Sequence, residues 1–153
     1  MKKVISVLLA LITTLSVLGC AVTAASGVEF GVYDPEKLKY YIAGGEATVY
    51  GCTDELYGPL VIPSEIEGCP VTEISGEAFA YQNHLTEVYI PGCVEIIGDG
   101  AFEGSSVEKL TLENGIKSIG DYCFDNCVRL KELSLPESIS FIGNKAFSYC
   151  TGL

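Results

Sequence analysis

The sequence predicts a repeat solenoid, mainly β, in which short turns and 3-10 or helical pieces join the strands and a β-hairpin caps the N-terminal end. Three observations carry this reading. From Leu85 onward the chain falls into consecutive units of 22 and 23 residues that share the same apolar slots. Within a unit, apolar residues recur at every second position and then break, which is the period of a strand and not the 3.6 period of a helix. Before Gly58 the repeat is absent, and two short apolar stretches flank a pair of glycines.

The N-terminal segment is read apart from the fold. Met1-Lys2-Lys3 is a short basic start, and residues 4–18 form an apolar run broken only by serine and threonine. A helix that crosses a bilayer needs about 20 apolar residues. This run is shorter and is followed by small residues, so residues 1–26 read as a secretory signal peptide. Two processing routes stay open. Val22-Thr23-Ala24 and Thr23-Ala24-Ala25 offer small residues to a signal peptidase. Val17-Leu18-Gly19-Cys20 resembles a lipobox, in which Cys20 would carry a diacylglycerol. Leu18 is bulkier than the residue usual at its position, which favours free secretion.

Residues 27–57 read as the cap. Residues 38–42 and 47–50 are the hairpin strands, joined by Ala43-Gly44-Gly45-Glu46. The repeats follow as 58–84, 85–106, 107–129 and 130–152, with another unit opening at Leu153. Leu85, Val107 and Leu130 open the regular units. Val88, Leu110 and Leu133 come next, then Ile90, Leu112 and Leu135, then Val94, Ile116 and Ile139. Ile97-Gly98, Ile119-Gly120 and Ile142-Gly143 match, as do Ala101-Phe102, Cys123-Phe124 and Ala146-Phe147. The first unit is looser: Leu60, Ile62, Pro63, Ile66, Ile74, Ala78 and Phe79 fill its slots, and extra residues around Gly68-Cys69-Pro70 are expected to form a loop at one edge.

One such unit cannot bury its own apolar stripe, so the units must stack. In the strand at 132–135, Leu133 and Leu135 should point inward and Glu132 and Ser134 outward. Stacking should place Phe79, Phe102, Phe124 and Phe147 in one column. Pro63, Pro91 and Pro136 lack an N–H and should end each strand ladder. The Ile-Gly pairs are expected to mark a bend with positive φ. Because the chain stops one residue into a unit, it is expected to be a monomeric part of a longer protein.

The repeat L-x-x-[LV]-x-[IL]-P-x-x-x-[IV]-x-x-I-G-x-x-[AC]-F-x-x-C resembles the BspA-type leucine-rich repeat of bacterial surface proteins, over roughly residues 40–153. Gln82 and Ser105 replace the trailing cysteine, and Glu113 replaces the proline. The resemblance implies a leucine-rich-repeat array at or outside the bacterial cell surface that adheres to or binds other macromolecules. It carries over no catalytic residue.

The chain has seven cysteines, and setting Cys20 aside leaves an even number. Cys127 and Cys150 occupy the same slot in adjacent units. A coil spacing of about 4.8 Å falls inside the Cα window of about 4.4–6.8 Å for a disulfide. A bridge between them is therefore open. The favoured alternative makes both of them small buried core residues. Cys123 and Cys127 lack the second pair that a closed zinc site needs.

Nothing in the sequence points to catalysis, a cofactor or a metal. His84 is the one histidine, and no G-x-S-x-G elbow accompanies it. Asp54-Glu55 and Glu65 with Glu67 lie in polar turn segments, where carboxylates are solvated. The net charge is −11, and without Lys2 and Lys3 it is more negative still. That field repels nucleic acid and anionic lipid, leaves a lipid anchor as the one route to a membrane, and suits basic protein patches. The expected function is an acidic face that binds an extracellular protein or a cell-wall or host macromolecule. The candidate face is the outward strand positions Val61, Glu87, Tyr89, Lys109, Thr111, Glu132 and Ser134, with Tyr89 as the aromatic anchor. Tyr81, Tyr122 and Tyr149 are expected on the flank beside the phenylalanine column. The alternative is a structural spacer, or the N-terminal repeat region of a multidomain surface protein whose activity lies downstream.

Overall fold

The computed structural model describes residues 37–153. The expected signal peptide over 1–26 with Cys20, and the start of the cap, lie outside the described residues. The described chain is a β-solenoid. Its strands are β1 (Leu38–Ala43), β2 (Glu46–Cys52), β3 (Gly58–Val61), β4 (Glu65–Ile66), β5 (Cys69–Ile74), β6 (Leu85–Ile90), β7 (Ile96–Ile97), β8 (Lys109–Leu112), β9 (Ser118–Ile119) and β10 (Phe141–Ile142).

The regular coils build two sheets. β3, β6 and β8 form one parallel sheet from the unit openings, with Val88 opposite Leu110 and Ile90 opposite Leu112. The apolar slots that match along the sequence are thus neighbours across the ladder. The second sheet runs β1-β2-β5-β7-β9-β10, with β4 paired to β5. In it Ile97 faces Ile119, and Ile119 faces Ile142. The Ile-Gly pairs were expected to mark a bend with positive φ; instead the isoleucine ends this second parallel strand and the glycine lies just past it, before the turn.

The glycines of that segment act by size and not by φ. Gly98, Gly120 and Gly143 are absent from the positive-φ residues. A Cβ on Gly98 would come 2.5 Å from Gly76 N, and one on Gly120 2.6 Å from Asp99 N. Each coil therefore rests on the backbone of the one before, and a side chain at this slot would push them apart. The carboxylates just after the glycines help to hold that approach. Asp99 accepts the Asp121 N–H at 2.8 Å, and Asp121 accepts the Asn144 N–H at 2.6 Å.

The third side carries the phenylalanines, and it is hydrogen-bonded without being a strand or a helix. The N–H groups of Glu77, Phe79 and Tyr81 donate to Asp99, Ala101 and Glu103 of the next coil, the last two at 2.7 Å. Those of Gly100, Phe102 and Gly104 repeat this onto the coil after, each at 2.8 Å. The intervening Ala78 and Ala80 donate instead to Ser75 and Glu77 of their own coil, closing tight turns. Such alternation requires left-handed backbone at Glu77 and Tyr81 (φ 57 and 58) and at Gly100 and Gly104 (φ 61 and 64). A helix would need an unbroken right-handed run, which explains why the helical pieces expected here are turns.

Inside this side the rings stack. Phe79, Phe102, Phe124 and Phe147 follow one another at centroid spacings of 5.2, 5.2 and 5.3 Å. The first three are fully buried, and each contributes about 1.5–3 kcal/mol by area.

The ends depart from the regular coil. β1 and β2 form the expected antiparallel hairpin, turned at Gly44 and Gly45 (φ 63 and 87). β2 continues the second sheet in parallel with β5, setting Ala47 against Val71 and Val49 against Ile74. The residues around Gly68-Cys69-Pro70, expected as a loop, form a second hairpin: Glu67 and Gly68 (φ 53 and 77) make the turn between β4 and β5. In the last coil the expected strand at 132–135 is reduced to a single bridge from Glu132 to Lys109. Leu135, expected inside, lies in this last described coil and is 40% exposed.

Phe124→Ala should destabilise the protein by about 3–5 kcal/mol in urea unfolding. Gly120→Ala should cost about 1–3 kcal/mol by forcing the coils apart. Gly120→Ala unfolding at the wild-type midpoint would refute the close approach as a constraint.

Candidate functional site

The outer face of the three-stranded sheet brings together residues from three coils. Thr86, Glu87, Glu108, Lys109, Lys131 and Glu132 line an open depression of about 330 Å³. The parallel register sets these residues side by side. Glu87 pairs with Lys109 in the ladder, and Lys109 bridges to Glu132. Cross-coil ion pairs follow: Lys109 Nζ lies 3.8 Å from Glu87, and Lys131 Nζ lies 2.7 Å from Glu108. Arg129 also donates to Glu108. Hydrogen bonding from Lys131 and the neighbouring Arg129 charge hold the Glu108 carboxyl below the usual carboxylate range.

Of the predicted face, Glu87, Lys109 and Glu132 form the expected column. Val61, Tyr89 and Thr111 share a second row by register. Ser134 is exposed beyond the last paired residue. Two features differ from expectation. Tyr89 is only 8% exposed. Its hydroxyl donates to Glu113, whose other oxygen accepts the Gly92 N–H at 3.1 Å. Glu113 stands where other units have proline, so it supplies an acceptor that ties Tyr89 to the next coil and withdraws it from solvent. The face is also not acidic: Glu87, Glu108 and Glu132 meet Lys109, Arg129 and Lys131. Sequence reasoning missed Thr86, Glu108 and Lys131. Their signal was the slot directly after each unit-opening apolar residue, next to the column already chosen.

The other candidates for chemistry are placed as follows. His84 stacks on Tyr57 at 4.4 Å and lies 3.6 Å from Glu55, and neither partner is a serine, threonine or cysteine. Among the described residues no group of three or more His, Cys, Asp or Glu side chains is placed to hold a metal. The six described cysteines are free thiols. The Cys127–Cys150 bridge left open by the sequence is not formed. Cys127 Sγ donates to Phe102 O at 3.2 Å and Cys150 Sγ to Phe124 O at 3.1 Å, so each thiol is turned onto the preceding coil's backbone. Ser105 takes the same slot and lies 3.4 Å from Cys127 Sγ. Burial pushes the Cys127 thiol up to about 11 and the Cys123 thiol well above its ordinary value.

With this geometry in view, comparison with known proteins assigns the class. The model of the BspA type leucine-rich repeat region matches residues 71–153 in six copies. The chain belongs to the BspA-type leucine-rich repeat family. Among solved structures it is similar to a Treponema pallidum leucine-rich repeat protein (TM-score 0.75, 28% identity, 79% of this chain and 57% of that one). It is also similar to a leucine-rich repeat protein of Bacteroides ovatus (TM-score 0.67, 30% identity, 80% and 33%). The pneumococcal vaccine antigen PcpA shares the fold (TM-score 0.61, 24% identity, 76% and 35%). The chain thus spans a third to somewhat over half of the length of these relatives. Among curated proteins none matches it.

Two outcomes follow. Tyr89→Phe should lose about 0.5–1.5 kcal/mol of stability by leaving Glu113 one partner short, measured by urea unfolding. At pH 8 the Cys123 and Cys127 thiols remain protonated because their pKa values are raised, and only thiolates react. Iodoacetamide should therefore spare both in the folded protein and label both in denaturant, as read by peptide mass spectrometry.

Proposed function

We propose that the protein is an exported, non-catalytic binding or adhesion module whose outer sheet face docks an extracellular protein or a cell-wall or host macromolecule. The observation that carries this reading is the exposed row Glu87, Lys109 and Glu132, with Glu108 and Lys131 beside it. It is held in fixed register by three coils and paired across them. A rigid array of fixed charges recognises a partner with little ordering cost, since the side chains are already placed. With the three acidic and three basic groups balanced, recognition rests on pattern more than on net attraction.

Export draws its support from the basic start and short apolar run of residues 1–26. Secretion and attachment to the bacterial surface differ in the fate of Cys20, and mass spectrometry of the mature N-terminus separates them: a diacylglycerol on Cys20 marks the anchored form. Belonging to the BspA-type family is consistent with a surface location.

The test is a binding screen against extracellular host proteins and bacterial wall polymers. Binding should appear and should weaken about tenfold or more in a Glu108→Ala/Lys131→Ala double variant, the scale of a few lost interface contacts. A screen in which nothing binds would favour a pure spacer and end this proposal.

A further inference from the structure

We propose that the turn side of the solenoid is a second binding surface, separate from the outer sheet face, that takes a lysine- or arginine-rich polypeptide segment. Each coil carries two left-handed slots on this side. One column is Glu77, Gly100, Tyr122 and Lys145, and the other is Tyr81, Gly104, Asn126 and Tyr149. Left-handed backbone suits glycine and asparagine and strains a bulky residue. The slots do hold Gly100, Gly104 and Asn126, yet three of them hold tyrosine. Those rings are not core: Tyr81 is 62% exposed, Tyr122 41% and Tyr149 70%. Neither backbone preference nor burial accounts for tyrosine there.

Charge supplies the identity of the partner. The turn segments carry Glu77, Asp99, Glu103, Asp121 and Asp125 against Lys145 alone. On the outer sheet face, by contrast, acids and bases balance. The acids surround the rings. Tyr81 donates to Glu103 at 2.8 Å, and the charges of Glu103, Glu77 and Asp125 add to that hydrogen bond in raising its phenol. The ring is also seated: a Cβ on Gly104 would come 2.7 Å from it.

The surface already holds one cation in this manner. Lys145 Nζ lies 5.4 Å from the centroid of the Tyr122 ring, within the range of a cation–π contact. Tyr81 and Tyr149 hold the same slot of the other column, three coil spacings apart at 5.2–5.3 Å each. Extended chain rises about 3.3 Å per residue, so a basic segment of six or so residues would reach both rings while its other cations meet Glu103 and Asp125.

The experiment is fluorescence anisotropy of dye-labelled octalysine titrated with the protein at low salt. Saturable binding is expected, weakened about tenfold in a Tyr81→Gly/Tyr149→Gly double variant. This variant keeps every charge and places glycine where the same slot already holds Gly104, and thermal unfolding checks that the fold survives the loss of the Tyr81–Glu103 hydrogen bond. A Glu87→Ala/Glu132→Ala variant of the sheet face should bind octalysine as the wild type does, which keeps this surface distinguishable from the first. Absence of saturable binding would overturn the proposal. So would wild-type affinity in the tyrosine variant, which would mark mere attraction between an acidic protein and a polycation.

Discussion

Coil-to-coil distance governs this molecule. The phenylalanine rings stack 5.2–5.3 Å apart, and four residues earlier in each coil Gly98, Gly120 and Gly143 bring backbones into direct contact. The two conditions are coupled, because a ring column can close to stacking distance only if nothing wedges the neighbouring side open. Every other feature is an accommodation to that spacing. The two sheets, the alternating turn hydrogen bonds and the aspartate caps all satisfy backbone groups that the close stack would otherwise bury unpaired.

The same spacing controls what the surface can do. Side chains in equivalent slots are held in ladders, so charge is written in columns. On the outer sheet face the columns alternate in sign and neutralise one another, as Glu87 does with Lys109 and Glu108 with Lys131. On the turn side Asp99 with Asp121, and Glu103 with Asp125, repeat one sign. A single solenoid therefore presents two faces of different electrostatic character, although the sequence reports only one net charge of −11 for the whole chain.

The cysteines illustrate how position outweighs composition. An even number of cysteines after Cys20 invites a disulfide reading. Yet Cys123, Cys127 and Cys150 serve as small core residues, and two of them donate weakly to carbonyls of the preceding coil. Ser105 fills the same slot, which shows that the slot asks for a small donor and not for a bridge.

The repeat, its strand register and the stacked phenylalanines were all legible in the sequence, because equivalent coils must align equivalent slots and an apolar stripe that one coil cannot cover must meet its neighbour. The N-terminal hairpin was legible for a local reason, the glycine pair between two short strands. The tertiary structure alone decided what depends on contacts between coils. It decided that glycine after isoleucine serves close approach and not a bend, and that Glu67 and Gly68 turn an insertion into a hairpin. It decided that Glu113 draws Tyr89 out of solvent, and that left-handed residues are spent on the turn side. Each of these rests on which atoms face one another across a few ångströms of stacked backbone, a relation that periodicity along one chain does not contain.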